Sequence, residues 1–303
     1  MASILILGAS GYVGSAVARH LSERGHQVTG MDLEMFGDPG GGNTLRRDIA
    51  ILTADDLAPF DAVILLAGHA SVGMVEADRA GAQINNVSNF FNLLEACRPD
   101  QKLIYASSAS IYSGAGGTAA NEEWLGFWPH SLYDVHKKHC DDLALLSQHR
   151  RRVYGLRFGT VSGWSANIRT DVVINRMIKD AVTSGRITLR NPHVHRTLLF
   201  IKDLCAALAV MIERDGPSGI YNLGSVSMRM DTVAYVVADF TGAEIRLLPL
   251  TASYDFTMCS EKFCRTFDFA FDPRIEHCLQ GLVNADPASW QDRQAAPPYR
   301  PRA

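Results

Sequence analysis

Tyr133 and Lys137 stand four residues apart, and their types and spacing suggest acid–base chemistry. Ser131 opens the helix predicted to contain them, and residues at i and i+4 of a helix project from the same face. An ammonium group close to a phenol favours the phenolate, which lowers a phenol pKa from its reference of about 10. Such a tyrosine can act as general base or acid on a substrate alcohol. Taken alone, the spacing fits an ordinary surface pair equally well, so the interpretation needs support from other elements.

Three serines supply part of that support. Ser107, Ser108 and Ser110 follow an apolar strand predicted over residues 102–106. Ligands bind beyond the carboxyl ends of the strands in open parallel sheets. These hydroxyl groups are therefore expected beside a ligand.

The element that would position a cofactor is a glycine loop near the N-terminus. Gly8, Gly11 and Gly14 follow a continuous apolar run at residues 4–7 and precede a helical pattern that reaches Leu21. The apolar run predicts a strand buried on both faces, as in a parallel sheet. A tight turn, close approach of backbone to pyrophosphate and close packing of helix on strand all exclude a Cβ. The loop is therefore predicted to bind the phosphates of a dinucleotide at a helix N-terminus.

Asp32 ends the second predicted strand, residues 27–32. An acid at this position accepts hydrogen bonds from the adenosine ribose, and its charge repels a 2′-phosphate. Glu34 adds a second negative charge, and no basic residue directly follows Asp32. The sequence therefore predicts NAD rather than NADP.

Strand and helix patterns alternate from residue 3 to residue 157. This alternation predicts an α/β fold with a Rossmann-type, doubly wound parallel sheet and right-handed crossovers. The helical patterns include one over residues 77–97 and one over residues 131–149.

Composition limits the classes of partner. The 303 residues are 47% hydrophobic and 20% charged, with a formal net charge of -3 and dispersed arginines, so no nucleic-acid partner is expected. Six cysteines without a CxxC pair fit the reduced core of a cytoplasmic protein. No apolar run approaches membrane-spanning length, and no basic segment precedes the first one, so neither export nor membrane insertion is expected. His193 and His195 have no third ligand nearby, so no metal is predicted.

These motifs together resemble the extended short-chain dehydrogenases/reductases, in particular the NAD-dependent epimerase/dehydratase family of nucleotide-sugar enzymes. Further matches are the adenine-pocket pair Asp48 and Ile49, and the segments 86–96, 157–161, 196–203 and 221–225. The resemblance implies catalytic roles for Tyr133, Lys137 and Ser108. It implies cofactor contacts from Gly8, Ser10, Gly11, Tyr12, Val13, Gly14, Asp32, Asp48, Ile49, Leu66, Ala67, Gly68, Ser107, Tyr133 and Lys137. It implies substrate contacts from Ser108, Ser110, Thr160 and Arg196, with the Arg196 guanidinium suited to a substrate phosphate.

The resemblance also implies how the chain divides into domains. We expect an NAD-binding Rossmann domain over residues 1–163, to which residues 198–224 return. A smaller mixed α/β substrate-binding domain takes residues 164–197 and 225–286. Residues 287–303, rich in Pro, Arg and Ala, are expected to form a poorly ordered tail.

Departures from the family pattern reduce the number of reactions that this chain is expected to catalyse. Ala109 and Ser110 stand where the 4,6-dehydratases carry an Asp-Glu pair, so a dehydratase would lack its additional acid and base. Thr160 replaces the asparagine of many sugar-nucleotide epimerases, and residues 190–195 replace a Gly-Asp-Gly turn, so the substrate stays open.

The predicted function is an NAD-dependent nucleotide-sugar epimerase that inverts C4 of a nucleoside-diphosphate hexose through a 4-keto intermediate. One alternative is a dehydrogenase or ketoreductase of the same family that acts on a sugar nucleotide, a small hydroxy acid, an amino acid or a free sugar. A second is a non-catalytic NAD-sensing protein. The two long helical patterns also resemble those that form a four-helix homodimer interface in this family.

Overall fold

A computed structural model of the chain describes residues 1–39, 43–285, 290 and 298–301. The strands are β1 Ser3–Leu7, β2 Gln27–Asp32, β3 Thr44–Arg46, β4 Ala62–Leu65, β5 Lys102–Ser108, β6 Gly116–Ala120, β7 Val153–Phe158, β8 Thr160–Ser162, β9 Arg186–Leu189, β10 His195–Phe200, β11 Gly219–Leu223, β12 Val226–Arg229, β13 Glu244–Leu247 and β14 Phe256–Met258. The α-helices are α1 Tyr12–Glu23, α2 Ala54–Leu57, α3 Val72–Ala77, α4 Arg79–Gln83, α5 Asn89–Ala96, α6 Leu132–Ser147, α7 Val173–Ser184, α8 Ile201–Glu213, α9 Met230–Thr241, α10 Glu261–Phe267 and α11 Ile275–Val283.

Seven parallel strands form the central sheet, in the order β11-β7-β5-β4-β1-β2-β3. In β1, Ile4 and Ile6 pack into one core cluster, and Leu5 and Leu7 pack into another. Successive side chains of a strand point to opposite faces, so this strand is apolar throughout because both of its faces are covered. The predicted doubly wound fold is confirmed.

Helices cover both faces of this sheet. Helices α1 and α8 pack on the face that carries Ile4 and Ile6, and α5 and α6 pack on the face that carries Leu5 and Leu7. The strand order reverses between β1 and β4, so the crevice at their carboxyl ends is where this fold binds ligands.

The prediction of one continuous helix over residues 77–97 is wrong in one respect, because the helix is interrupted at Asp78. The Asp78 side chain accepts a hydrogen bond from the Gly81 amide (3.1 Å) and caps α4. A π-helical turn, Ile84–Ser88, then joins α4 to α5. Single π turns within helices occur frequently at functional sites.

The second half of the chain adds three small sheets, ordered β12-β10-β8, β13-β9 and β14-β6. Helices α7, α9 and α11 form a separate core cluster beside them. Of the segment expected to return to the Rossmann domain, β11 lies in the large sheet, whereas β10 pairs with β8 and β12. The domain boundaries stay a prediction.

The predicted tail, residues 287–303, lies mostly outside the described residues. Of its described members, Trp290 and Tyr299 are buried. Trp290 packs in the cluster of α7, α9 and α11. None of the helices built from the described residues combines the length and apolar character needed to cross a bilayer.

Candidate active site

The glycine loop joins β1 directly to α1. Gly8 has φ +92°, and a Cβ there would lie 2.5 Å from the Ala67 backbone nitrogen. A Cβ on Gly14 would lie 1.9 Å from the Gly8 carbonyl oxygen. No side chain fits at either position, so the loop and the helix N-terminus can approach a ligand closely. Buried Ser10 lies in this loop, and its Oγ has no hydrogen-bond partner among the described residues.

Two acids follow the neighbouring strands. The Asp32 carboxylate accepts hydrogen bonds from the amides of Ser10 (3.0 Å) and Glu34 (2.7 Å), which hold it at the end of β2 beside the glycine loop. The Asp48 carboxylate lies beyond β3 and accepts a hydrogen bond from the Ala50 amide (2.9 Å), at the start of a 3-10 turn that contains Ile49. Both acids therefore lie on the β2–β3 side of the crevice.

Asn86, on the π-helical turn, fixes the loop after β4. Its Oδ1 accepts a hydrogen bond from the His69 amide (2.8 Å), and its Nδ2 donates to the His69 carbonyl (3.2 Å). A Cβ on Gly68 would lie 2.6 Å from Asn86 Oδ1. A side chain at Gly68 would therefore prevent this loop from packing against the π-helical turn.

A cavity of about 270 Å³ brings the predicted catalytic and substrate residues together. The predicted residues that line it are Tyr12, Val13, Leu66, Ala67, Gly68, Ser107, Ser108, Ser110, Tyr133, Lys137, Thr160 and Arg196. The other predicted cofactor residues lie outside its lining, along the ends of β1, β2 and β3. A larger cavity of about 440 Å³, between α1, α8 and α11, contains none of the predicted site residues.

Helix α6 carries Tyr133 and Lys137. Ser131 and Asp134 form a reciprocal capping box that fixes where the helix begins. The Lys137 Nζ donates to the carbonyl of Ala106 in β5 (2.7 Å) and lies 5.7 Å from the centroid of the Tyr133 ring. One turn of α6 is thereby attached to the strand that ends in the serines.

The serines at the end of β5 differ in their bonding. The Ser108 Oγ accepts a hydrogen bond from the Ser110 amide (3.2 Å) and donates to the Ser110 Oγ (3.0 Å). Ser107 is buried, and its Oγ has no partner in the part of the chain that the structure describes. An unpartnered buried hydroxyl is costly unless a ligand pairs with it.

A buried polar network, missed by the sequence analysis, lies beneath this site. The Asp141 carboxylate accepts hydrogen bonds from the Tyr105 hydroxyl and from Arg157 Nε, both at 2.8 Å. Arg157 also donates to the Tyr112 hydroxyl (2.6 Å), which donates to Asn222 (2.7 Å). Burial, reinforced by Asp141, raises the pKa of Tyr105 well above its ordinary value, so its hydroxyl stays a donor. The network joins α6 to β5, β7 and β11.

Two arginines line the cavity. Burial lowers the pKa of Arg196 to about 10, and its guanidinium donates to Ser253 Oγ (2.9 Å) while lying over the rings of Tyr254 and Phe256. Arg169 was not predicted from the sequence. Burial opposes its charge, but an ion pair with Asp171 (2.5 Å) raises its pKa above the ordinary value.

These residues fit a dinucleotide. The glycine loop has no room for a Cβ, the hydroxyls of Ser10 and Ser107 are buried without partners among the described residues, and Asp32 ends β2. A phosphate at the helix N-terminus and a ribose at the β2 acid would meet these groups.

Comparisons with known proteins agree with this geometry. The family model described as "NAD dependent epimerase/dehydratase family" matches residues 4–224. UDP-glucuronate 4-epimerase 6 of Arabidopsis thaliana is 29% identical over 265 residues, which cover 74% of this chain and 57% of that protein. The chain spans less than two thirds of the length of each of the six Arabidopsis UDP-glucuronate 4-epimerases that it matches, between 57% and 65%.

Solved structures share the fold. UDP-glucuronic acid 4-epimerase from Bacillus cereus, in complex with UDP-glucuronic acid and NAD, has a TM-score of 0.80 and 21% identity, covering 93% of this chain and 98% of that one. UDP-N-acetylglucosamine 4-epimerase from Methanobrevibacter ruminantium M1, in complex with UDP-N-acetylmuramic acid, has a TM-score of 0.83 and 21% identity, covering 93% and 97%.

Proposed function

We propose that this NAD-dependent enzyme, which belongs to the NAD dependent epimerase/dehydratase family, inverts C4 of a nucleoside-diphosphate sugar. The observation that carries the proposal is the cavity in which Tyr133, Lys137 and Ser108 face the β4 strand end, with Arg196 on the same lining. The names of the Arabidopsis relatives and of the Bacillus cereus structure support C4 as the carbon that is inverted.

Tyr133 is the proposed acid–base residue. NAD, which the glycine loop and Asp32 would hold, would supply a reversible hydride acceptor for C4. Tyr133 takes the proton of the C4 hydroxyl as the carbonyl forms, and gives it back when the hydride returns. Protons and hydride balance over the cycle, so no net oxidation occurs.

Lys137 and Ser108 assist that proton transfer. The Lys137 ammonium, held by the Ala106 carbonyl, sets a positive charge 5.7 Å from the ring of Tyr133. The Ser108 hydroxyl can rotate from Ser110 toward the substrate oxygen, because a hydroxyl hydrogen is free to turn. It then stabilises the oxygen while its charge develops.

The charges of the cavity support a UDP-uronic acid as the substrate. Arg196 has no ion pair among the described residues, so its partly buried guanidinium can pair with a diphosphate. Arg169 lines the same cavity, and we propose that a substrate carboxylate replaces Asp171 as the partner of its guanidinium. UDP-glucuronate carries a sugar carboxylate in addition to its diphosphate and therefore matches two cations, whereas a neutral hexose matches one.

The experiment is incubation with UDP-glucuronate, with products followed by NMR and NADH followed by absorbance. We expect the C4 epimer, UDP-galacturonate, without steady accumulation of NADH. Tyr133→Phe should keep the fold and NAD binding and lower turnover by about 10² to 10⁴. Tyr235→Phe is the matched control, because Tyr235 lies exposed on α9. Release of one NADH per turnover would identify a dehydrogenase instead.

Binding assays with other compounds test the substrate class and the catalytic role. Binding of small hydroxy acids, amino acids or free sugars without binding of any sugar nucleotide would overturn the substrate class. NAD binding with no reaction on any of these compounds would favour the non-catalytic sensor. Arg169→Met should weaken the binding of UDP-glucuronate more than the binding of UDP-glucose. An equal effect on the two affinities would contradict the proposed carboxylate contact.

We also propose that the protein is a cytoplasmic homodimer that acts in carbohydrate metabolism. Several large apolar side chains on the π-helical turn, α5 and α6 are exposed, as in an uncovered interface. They are Ile84, Phe91, Val135, Leu145 and Leu146.

A further inference from the structure

Tyr299, far along the chain from the Rossmann strands, is buried against residues that follow them. Its side chain is 5% exposed, and its hydroxyl donates to Asp48 Oδ1 (2.8 Å) and accepts from Asn89 Nδ2 (3.0 Å). Its amide donates to Asp78 Oδ2 (2.6 Å), and its ring meets that of His69 edge to face. Four contacts from both backbone and side chain therefore hold this residue in one position.

The strand order locates the adenosine half of the dinucleotide on the same side of the crevice. A bound NAD would place its phosphates at the glycine loop after β1 and its adenosine ribose at Asp32 after β2. The base must continue outward from that ribose, away from the cavity of Tyr133. The next strand in the sheet is β3, and the first carboxylate after it is Asp48.

Tyr299 donates a hydrogen bond to Asp48, and an adenine base would do the same. A phenol hydroxyl and an adenine amino group are both hydrogen-bond donors, and both belong to flat rings. With Tyr299 seated, Asp48 is only 2% exposed and buried Asn89 is covered as well. The cavity that holds the catalytic residues does not include Asp48 or Ile49 in its lining.

We propose that residues 298–301 form an autoinhibitory strap, in which the Tyr299 phenol occupies the position of the adenine base at Asp48. NAD must displace it in order to bind. The inference rests on NAD lying across the strand ends as proposed above, and it does not depend on which sugar is epimerised. The apparent affinity for NAD is reduced by the fraction of molecules in which the strap is seated. A strap seated in nine molecules of ten lowers the affinity roughly ten-fold.

The test compares the full chain with Tyr299→Ala by titration calorimetry, with NAD, AMP and UDP as separate probes. We expect NAD and AMP to bind roughly ten-fold more tightly to Tyr299→Ala, in accordance with the released fraction, and UDP to bind equally to both. Tyr299→Phe, which keeps the ring and loses the bond to Asp48, should lie between the two. Tyr235→Ala, which removes an exposed tyrosine from α9, should leave all three affinities unchanged.

Hydrogen exchange gives a second readout that needs no variant. The Tyr299 amide is bonded to Asp78, so saturating NAD or AMP should increase its exchange. Unchanged or weaker NAD binding to Tyr299→Ala, or greater protection of this amide with NAD, would overturn the strap. Absence of epimerase activity would leave both readouts intact, because neither uses a sugar substrate. If the wild-type chain and Tyr299→Ala both fail to bind NAD, the cofactor placement and the strap fall together.

Discussion

Replacing Asp141 with asparagine should strongly destabilise the protein, although the two side chains have nearly the same volume. Asp141 is fully buried, and Arg157, its partner, is only 4% exposed. The substitution removes the negative charge and leaves the Arg157 guanidinium buried without a counter-ion. Removing one partner of a buried ion pair costs about 3 to 5 kcal/mol. We expect a value near the lower end, about 3 kcal/mol, because Arg157 keeps its hydrogen bond to Tyr112.

A loss of that size is a large part of the total, since folded domains are stable by about 5 to 15 kcal/mol. Urea unfolding of wild type and Asp141→Asn, followed by fluorescence and circular dichroism, measures it. The control is the double variant Asp141→Asn with Arg157→Met, which removes both charges, keeps an amide oxygen as acceptor for the Tyr105 hydroxyl and should recover much of the loss. A loss below about 1 kcal/mol for Asp141→Asn, typical of an exposed pair, would refute the reasoning, as would a double variant less stable than the single one.

Three further predictions concern the cofactor and the assembly. Calorimetry should show tighter binding of NAD than of NADP by the wild type and a smaller difference for Asp32→Ser; equal affinities in the wild type would contradict the assignment. Gly14→Ala should abolish NAD binding, because its Cβ would lie 1.9 Å from the Gly8 carbonyl oxygen, whereas Gly73→Ala, with no atom within 4 Å of its Cβ, should bind normally. Light scattering should give a dimer mass for the wild type and a monomer mass for Leu146→Glu, since this α6 side chain is 80% exposed; a wild-type monomer at micromolar concentration would reject the proposed interface.

The sheet and the glycine loop could be predicted because their physical causes are local. An apolar run followed by glycines and a helical pattern reports burial on both faces and a required absence of Cβ, and each is visible within about a dozen residues. The proximity of Tyr133 and Lys137 could also be predicted locally, because residues at i and i+4 lie on the same face of a helix. The break at Asp78 was missed because apolar periodicity continues across it, while the cap depends on one side-chain hydrogen bond.

The buried network of Asp141 and Arg157, and the position of Arg169, could not be predicted from the sequence for a different reason. Asp141 on α6 and Arg157 in β7 look like ordinary solvated charges in a linear pattern. They become a buried pair only because β5 and β7 are adjacent and α6 packs across them. Arg169 lies between β8 and α7, where the sequence has no strong periodicity, and its place in the cavity depends on a contact with the Ala70 carbonyl in the loop after β4.

The burial of Tyr299 could not be predicted from the sequence either. A tail rich in proline and arginine lacks the periodicity that predicts packing, so nothing local indicates a buried residue. The contact with Asp48 joins residues 251 positions apart in sequence, so no local pattern reports it. A contact held by one short segment can also be released without unfolding the sheet. The proposed strap requires that property, because it must leave Asp48 for the cofactor to bind while the glycine loop and Asp32 keep their positions.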